Sequence, residues 1–452
     1  MSLSTGAEAV DLAATAPSAR QTIVASLSSI FGWGLDLFDL FILLYIAPIV
    51  GRLFFPASQP MLSLAAAYAS FSVTLLVRPL GSALFGSYAD RRGRREAMMV
   101  AVVGVGVSTA IFGLLPTVAQ IGWAAAALFL AFRLIQGIFV GGVVASSHTI
   151  GTESVPERWR GLMSGCIGGG GSAMGGLLAS LVFYIVTLIA PGPALAAWGW
   201  RLMFFSGLLT SIVGIFLFRS LDESPFFRAA EARKAVRHES LVAERPVAQL
   251  FKAPYRSRFL VNILLSLGAG AGYYLTSGYL PAFLSVVSRI PRHEASVILI
   301  CASIAGAAGA ISFGALSQAI GRRKVFLLAG ILRIVAFPLL YLAMGSAGGT
   351  GLLVLYALIL CFLANGSYGP LLIFLNERFP TRLRATGTGL SWNIGFAIGG
   401  MMPTFVSIAA ARHHGDLPAI LAIFTVGSSV IFLIGALVVP ETRGNLQRAD
   451  QH

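Results

Sequence analysis

The sequence predicts an all-α membrane protein of twelve transmembrane helices arranged as two six-helix halves. Three observations carry that prediction. The first is composition: 56% of the 452 residues are hydrophobic and 11% charged, against about 25% charged in soluble domains. The second is a series of long uncharged apolar runs. Each can cross a hydrocarbon core about 30 Å thick and is too long for a barrel strand. The third is a set of motifs that occurs once in each half of the chain.

The apolar runs place spans at 24–49, 62–88, 97–115, 121–148, 161–190, 199–218, 257–285, 295–319, 324–344, 350–376, 385–411 and 417–439. The expected organisation is therefore a tail (1–23), a six-helix bundle (24–218), a central loop (219–256), a second six-helix bundle (257–439) and a second tail (440–452). The central loop is polar and charged, with a helical stretch expected from Phe226 to Ser240. Residues 1–20 are polar and lack the apolar core of a cleavable signal.

Charge sets the orientation. Of the 32 Lys and Arg, 24 fall on one set of alternate connections, counting Arg258 with the central loop, and five on the other. Without the central loop the bias is still 15 to five. The positive-inside rule then puts both termini in the cytoplasm of a multi-pass plasma-membrane protein, taken as a bacterial inner membrane. An odd number of spans would scramble this alternation. The net charge of +14 does not imply a nucleic-acid partner, because the arginines cluster in short loops. Cys166, Cys301 and Cys361 lie within spans and read as small packing residues. No His, Cys or carboxylate spacing suggests a metal, and no nucleotide-binding loop is present. No cofactor is expected beyond a coupling proton.

The remaining three arginines, Arg78, Arg133 and Arg333, lie inside spans. So do Asp36 and Asp39, in an otherwise uncharged run. A carboxylate at the centre of a bilayer costs at least about 2.5–3.5 kcal/mol on insertion scales, so such a pair is a functional-site hypothesis. Two carboxylates one turn apart in low dielectric resist being ionised together, which suits a group that takes up and releases a proton. Either can titrate, with Asp36 the first choice, and a structural salt bridge to Arg133 or Arg78 is the alternative. Arg133 lies at matching depth in the fourth span and could bind a carboxylate in bidentate fashion. Arg78 is a second candidate for carboxylate or substrate contact. Arg333, in the ninth span, is expected to serve structural pairing. Glycines crowd the fifth span at Gly165, Gly168–Gly171, Gly175 and Gly176, which favours close helix–helix approach.

Three signatures repeat in order. Gly86-Ser-Tyr-Ala-Asp90-Arg91-Arg92-Gly93-Arg94-Arg95 is echoed by Gly314-Ala-Leu-Ser-Gln-Ala-Ile-Gly321-Arg322-Arg323, with Gln318 in place of Asp90. Glu153-x-x-Pro156-x-x-x-Arg160 is echoed by Glu377-x-x-Pro380-x-x-x-Arg384, and Glu223-Ser-Pro225 by Pro440-Glu441-Thr442. The offsets are 228, 224 and 218. Two halves repeated in parallel is a known transporter architecture.

With these motifs the chain resembles the major facilitator superfamily of transporters over nearly its whole length. Gly86–Arg95 is similar to that superfamily's most specific signature, and Arg133-x-x-Gln136-Gly137-x-x-x-Gly141-Gly142 to its fourth-helix motif. Trp33-x-Leu-Asp36-x-Phe-Asp39, Arg78-Pro79-Leu-Gly81, Pro156-x-x-Trp159-Arg160-Gly161, Trp200-Arg201 and Glu223-Ser-Pro225 resemble the proton-linked metabolite and carboxylate symporters, sialate- and lactate-type carriers among them. The resemblance implies the major facilitator fold, with spans 1, 4, 7 and 10 around a central cavity. It implies substrate contacts at Arg133, Arg78, Gln136, Tyr273, Tyr274, Asn365, Tyr368 and Asn393. It also implies a cytoplasmic latch between the halves from Gly86, Asp90, Arg91, Gly93, Arg94, Glu153, Arg160, Glu377 and Arg384.

The expected function is transport without enzymatic chemistry. A small organic anion would move with protons by alternating access, with Asp36 and Asp39 coupling the proton. Three intramembrane arginines against two aspartates leave one positive charge, which a carboxylate would balance. The runner-up substrate is a sugar or zwitterionic metabolite, and proton-antiport drug efflux is third. A channel or a non-transporting receptor is the reading from another class. A small-molecule substrate, protons and lipid are the expected partners of a monomer.

Overall fold

A computed structural model of the chain describes residues 19–92, 94–153, 155–219, 246–412 and 416–446. The helix expected at Phe226–Ser240 lies outside these residues. The described residues are helical throughout and hold no strand. In chain order the spans are α1 (Ala19–Phe54), α2 (Pro60–Arg92), α3 (Arg94–Phe112), α4 (Ala124–Glu153), α5 (Glu157–Ile189) and α6 (Leu195–Phe216). After the central loop come α7 (Tyr255–Val286), α8 (Arg292–Ile320), α9 (Arg322–Gly345), α10 (Thr350–Glu377), α11 (Thr386–Arg412) and α12 (Leu417–Val438). Eleven are long and apolar enough to cross a membrane, and α3 contributes a shorter apolar stretch, Met99–Phe112. Each apolar run thus closes its own backbone hydrogen bonds, as hydrocarbon demands.

Packing repeats between the halves. In the first, α1 packs on α5, α2 on α4 and α3 on α6; in the second, α7 packs on α11, α8 on α10 and α9 on α12. Adding six to each helix number converts one set into the other. Between the halves, α5 lies on α8 and α2 on α11, two contacts that the same rule exchanges. The molecule is two copies of one six-helix unit facing each other across a pseudo-two-fold axis.

Small residues let backbones meet at these seams. A Cβ on Gly161 would sit 2.6 Å from the Gly314 carbonyl oxygen, and one on Gly165 would sit 2.5 Å from that of Ala310. The α5–α8 seam therefore admits no side chain at either position. Within the first half, a Cβ on Gly137 would sit 2.6 Å from the Thr74 carbonyl oxygen, and Gly141 lies against that of Arg78. This holds α2 tightly over α4.

The bundle is closed at both ends. At the end that carries the α8–α9 connection, the Gly161 amide donates to Gln318 Oε1 (3.1 Å) and Ser164 Oγ donates to the Gly369 carbonyl (2.7 Å). Toward the other end, Tyr68 stacks on Tyr279 with ring centroids 5.2 Å apart. Ser72 Oγ donates to the Gly400 carbonyl (3.0 Å), and Arg292 Nη1 to that of Gly192 (3.0 Å).

Candidate functional site

The site begins on α1, where an apolar helix carries Trp33, Asp36 and Asp39 within two turns. One turn separates the two carboxylates, yet they enter different surroundings. Asp36, 5% exposed, lines a central cavity of about 10 Å³, room for about one water. Arg78 Nη1 of α2 donates to Asp36 Oδ2 at 3.5 Å. Asp39, 4% exposed, is not in that lining. It accepts from Thr109 Oγ1 of α3 and, at 2.7 Å, from Gln136 Nε2 of α4. Gln136 Oε1 in turn accepts from Arg133 Nη1 at 2.8 Å.

Arg133 therefore reaches Asp39 through Gln136, and no direct ion pair joins it to either aspartate among the described residues. Its guanidinium lies 4.4 Å from the ring centroid of Phe112 and 5.2 Å from that of Phe129, a cation–π setting for a charge in hydrocarbon. It does not line the cavity; its guanidinium is turned to Gln136 and to the rings of Phe112 and Phe129 instead. The cavity is walled by α1, α2, α7, α10 and α11, which differs from the expected ring of spans 1, 4, 7 and 10. Arg333, expected to pair structurally, finds neutral partners. It donates to Ser367 Oγ (3.0 Å) and the Gly268 carbonyl (2.8 Å), with the Phe432 ring 4.6 Å away.

The cavity wall is mostly aromatic: Trp33, Tyr273, Tyr274, Tyr368, Trp392 and Phe396. Trp392 is its hub. It stacks on Phe396 at 3.8 Å and meets Tyr368 at 5.1 Å and Trp33 at 5.4 Å, both edge-on. Tyr368 stacks on Tyr273 at 5.3 Å and accepts from Trp33 Nε1 at 3.0 Å, a bond that crosses between the halves. Tyr273 also shares a hydrogen bond of 2.7 Å with Ser172. Asn393 completes the polar lining. Asn365 lies in a neighbouring cavity of about 30 Å³, which shares Tyr273 with the first and is lined otherwise by neutral groups, Ser172, Ser277 and Ser303 among them. Asn365 Nδ2 donates to the Cys361 carbonyl (2.9 Å) and to Ser277 Oγ (3.3 Å).

Of the sequence-nominated contacts, the structure gathers Asp36, Arg78, Tyr273, Tyr274, Tyr368 and Asn393 around one cavity. It sets Asp39, Gln136 and Arg133 apart as a hydrogen-bonded chain outside that lining and puts Asn365 next door. Sequence reasoning missed Trp33, Trp392, Phe396 and Thr109. Trp33 stands three residues before Asp36, one turn away, and Trp392 adjoins Asn393. Those neighbours were the available signal.

The latch nominations divide. Gly93 and the side chains around Gly86, Asp90, Arg91, Arg94 and Glu153 lie outside the described residues. In the second half the echoing motif is a sealed network. Arg322, fully buried, pairs with Glu377 at 3.2 Å through Nη2 and 3.3 Å through Nε. Arg322 Nη2 also donates to Gln318 Oε1 (2.8 Å), the oxygen that receives the Gly161 amide from the other half. Thr442 Oγ1 donates to Glu377 Oε2 (2.8 Å), and Arg384 donates to the carbonyls of Asn376 (3.2 Å) and Leu446 (2.8 Å). Arg160 is buried at the start of α5. Gly321 turns α8 into α9 with φ 104°, open to glycine without strain. A Cβ there would meet the Glu441 carboxylate. Burial pushes Glu441 up, but the backbone amides of Arg443, Arg322, Arg323 and Thr442 outweigh it and hold the carboxyl below its ordinary value.

The Major Facilitator Superfamily profile matches residues 22–402. The chain is 30% identical to the glycine betaine/proline/ectoine/pipecolic acid transporter OusA of Dickeya dadantii, covering 91% of this chain and 82% of that protein. It is 29% identical to the inner membrane metabolite transport protein YhjE of Escherichia coli, covering 94% and 95%. Among solved structures, a D-xylose-proton symporter superposes with a TM-score of 0.69 at 18% identity, covering 93% of this chain and 99% of that one; at that identity it shows the fold alone. The expected kinship with sialate- and lactate-type carriers is corrected by these relatives, one of which carries betaine and proline.

Proposed function

The chain belongs to the Major Facilitator Superfamily, and from that premise we propose that it is a proton-coupled symporter of a small zwitterionic metabolite of the betaine or proline kind. It is a multi-pass secondary transporter, not an enzyme. The observation that carries the substrate reading is the balance of fixed charge at the cavity: one arginine, Arg78, and one aspartate, Asp36, within aromatic walls. This replaces the expectation of a simple organic anion. That expectation pooled Arg78, Arg133 and Arg333 against both aspartates, whereas Arg133 and Arg333 sit away from the cavity on rings and neutral partners. The name of the relative OusA supports the same class.

Proton coupling is assigned to the cluster of Asp39, Thr109, Gln136 and Arg133. Asp39, charged, accepts from Thr109 and from a Gln136 held by Arg133. Protonated, it loses its attraction for that guanidinium. The two states favour different packings of α1 against α3 and α4, and α1 also carries Asp36 and Trp33 in the cavity. Alternating access then parts the contacts at one end while keeping those at the other. The arginine-rich end is assigned to the cytoplasm.

The test is uptake into proteoliposomes of glycine betaine, proline, lactate, sialate and xylose, with and without an inward proton gradient. Gradient-driven accumulation of the zwitterions alone is the expected result. Accumulation of lactate or xylose but no zwitterion would overturn the reading.

A further inference from the structure

Three residues that line the central cavity each carry a buried polar atom with no hydrogen-bond partner among the described residues: Asp36 Oδ1, Arg78 Nε and Asn393 Nδ2. A buried donor or acceptor left without a partner is destabilising, so each invites a ligand atom. Their chemistry is complementary: one anionic acceptor, one cationic donor and one neutral donor. They stand beside the rings that gather around Trp392.

We propose that the cavity recognises a zwitterion whose cationic nitrogen is fully alkylated, and that the two poles dock separately. The carboxylate is received by Arg78 Nε and Asn393 Nδ2, both donors. The alkylated ammonium lies against Trp392, Trp33, Tyr368 and Phe396, with Asp36 as counter-charge. Aromatic faces attract such a cation without demanding N–H groups from it. A primary ammonium brings three N–H donors, and Asp36 is the one anionic acceptor in the lining, so the N–H groups that point at the rings stay unmade in a dry site. A quaternary ammonium brings none. The substrate takes over the weak Arg78–Asp36 contact at 3.5 Å, each pole replacing one partner of that pair. A cavity of about 10 Å³ means that the walls part to admit the molecule, and the rings close on it.

This assignment rests on the zwitterion reading and deepens it. The experiment is counterflow of radiolabelled glycine betaine in proteoliposomes of the full chain, with competition by proline, alanine, choline and 3,3-dimethylbutyrate. The last is the uncharged-carbon isostere of glycine betaine. The expected order is glycine betaine, then proline, then alanine, with the isostere and choline each weaker than glycine betaine by about tenfold or more. In Trp392→Leu the preference for glycine betaine over the isostere falls by about tenfold, while Trp392→Phe keeps it. In Arg78→Gln the advantage over choline collapses, and Arg78→Lys restores part of it. A generally misfolded variant loses all competitors together and would not change these ratios.

Equal competition by the isostere in the unaltered protein overturns the proposal and leaves the zwitterion reading standing. So does an unchanged ratio in Trp392→Leu, or alanine outcompeting glycine betaine. Failure of the unaltered chain to carry any zwitterion removes both.

Discussion

Asp36 and Asp39, one helical turn apart on α1, keep different partners: Asp36 faces Arg78 in the central cavity, and Asp39, outside that lining, is bonded to Thr109 and Gln136. A pair read together in the sequence is divided between two sets of neighbours, and under the proposed function that division separates substrate from proton.

Asp39→Asn should abolish concentrative uptake while leaving substrate exchange in place. The amide still bonds Gln136 and Thr109 but cannot change charge. Gradient-driven accumulation compared with counterflow in the same proteoliposomes checks this. Retained accumulation would move the proton to another group.

Arg133→Gln should leave substrate affinity near that of the unaltered protein, since the guanidinium does not touch the cavity. Coupling should suffer instead, with the accumulation ratio falling by at least about fivefold, the lower range of coupling between sites. A large rise in apparent KM with accumulation preserved would place Arg133 at the substrate.

Glu377→Gln should destabilise the protein by about 3–5 kcal/mol, because it strands a fully buried Arg322. Thermal unfolding in detergent reads this as a lowered apparent Tm. The double variant Arg322→Met with Glu377→Met should recover part of the loss, since it leaves no charge unpaired.

Gly161→Val should hold the end around Gln318 open, because its side chain would collide with the Gly314 carbonyl. Substrate binding should persist and net transport fail. The readout is labelling of cysteines placed in the α5–α8 seam. A seam as protected as in the unaltered protein would show that it relaxes around the extra atoms.

Glu441 gives a pH dependence at the C-terminal segment. Its folded carboxyl lies below the ordinary value of 4.5. Its contribution is therefore present above that value and lost as pH falls through the lower, folded one. Hydrogen exchange at the amides of Arg322 and Arg323, which the carboxylate receives at 2.9 and 3.2 Å, should accelerate in acid beyond the intrinsic trend.

Much of the architecture was legible in the sequence. Hydrocarbon forces an apolar run to satisfy its own backbone, so span edges such as 350–376 and 417–439 fall within a residue of the observed helices. The repeats at Gly86 and Gly314 announced two halves. The membrane aspartates were legible because charge in an apolar run is conspicuous. Which neighbours each would meet was not, since spacing along α1 says nothing of what α2 covers. Gly137 and Gly141 were visible as small residues, but only the fold shows that they seat α2 across α4, and that Arg133 turns to Gln136, Phe112 and Phe129. The aromatic wall was missed in part because Trp and Phe are ordinary residues in lipid-facing helices, and only the convergence of α1 with α11 brings Trp33, Trp392 and Phe396 around one cavity.

The cancelling charges of Arg78 and Asp36 bear on energetics. A zwitterion adds no net charge, so with one proton per turnover each cycle carries a single positive charge across the bilayer. Transport would then be electrogenic. A membrane potential of about 100 mV supplies about 2.3 kcal/mol per charge, enough for roughly 50-fold accumulation before any pH difference is counted. A cell held at neutral pH on both sides would still concentrate its solute, drawing on voltage alone.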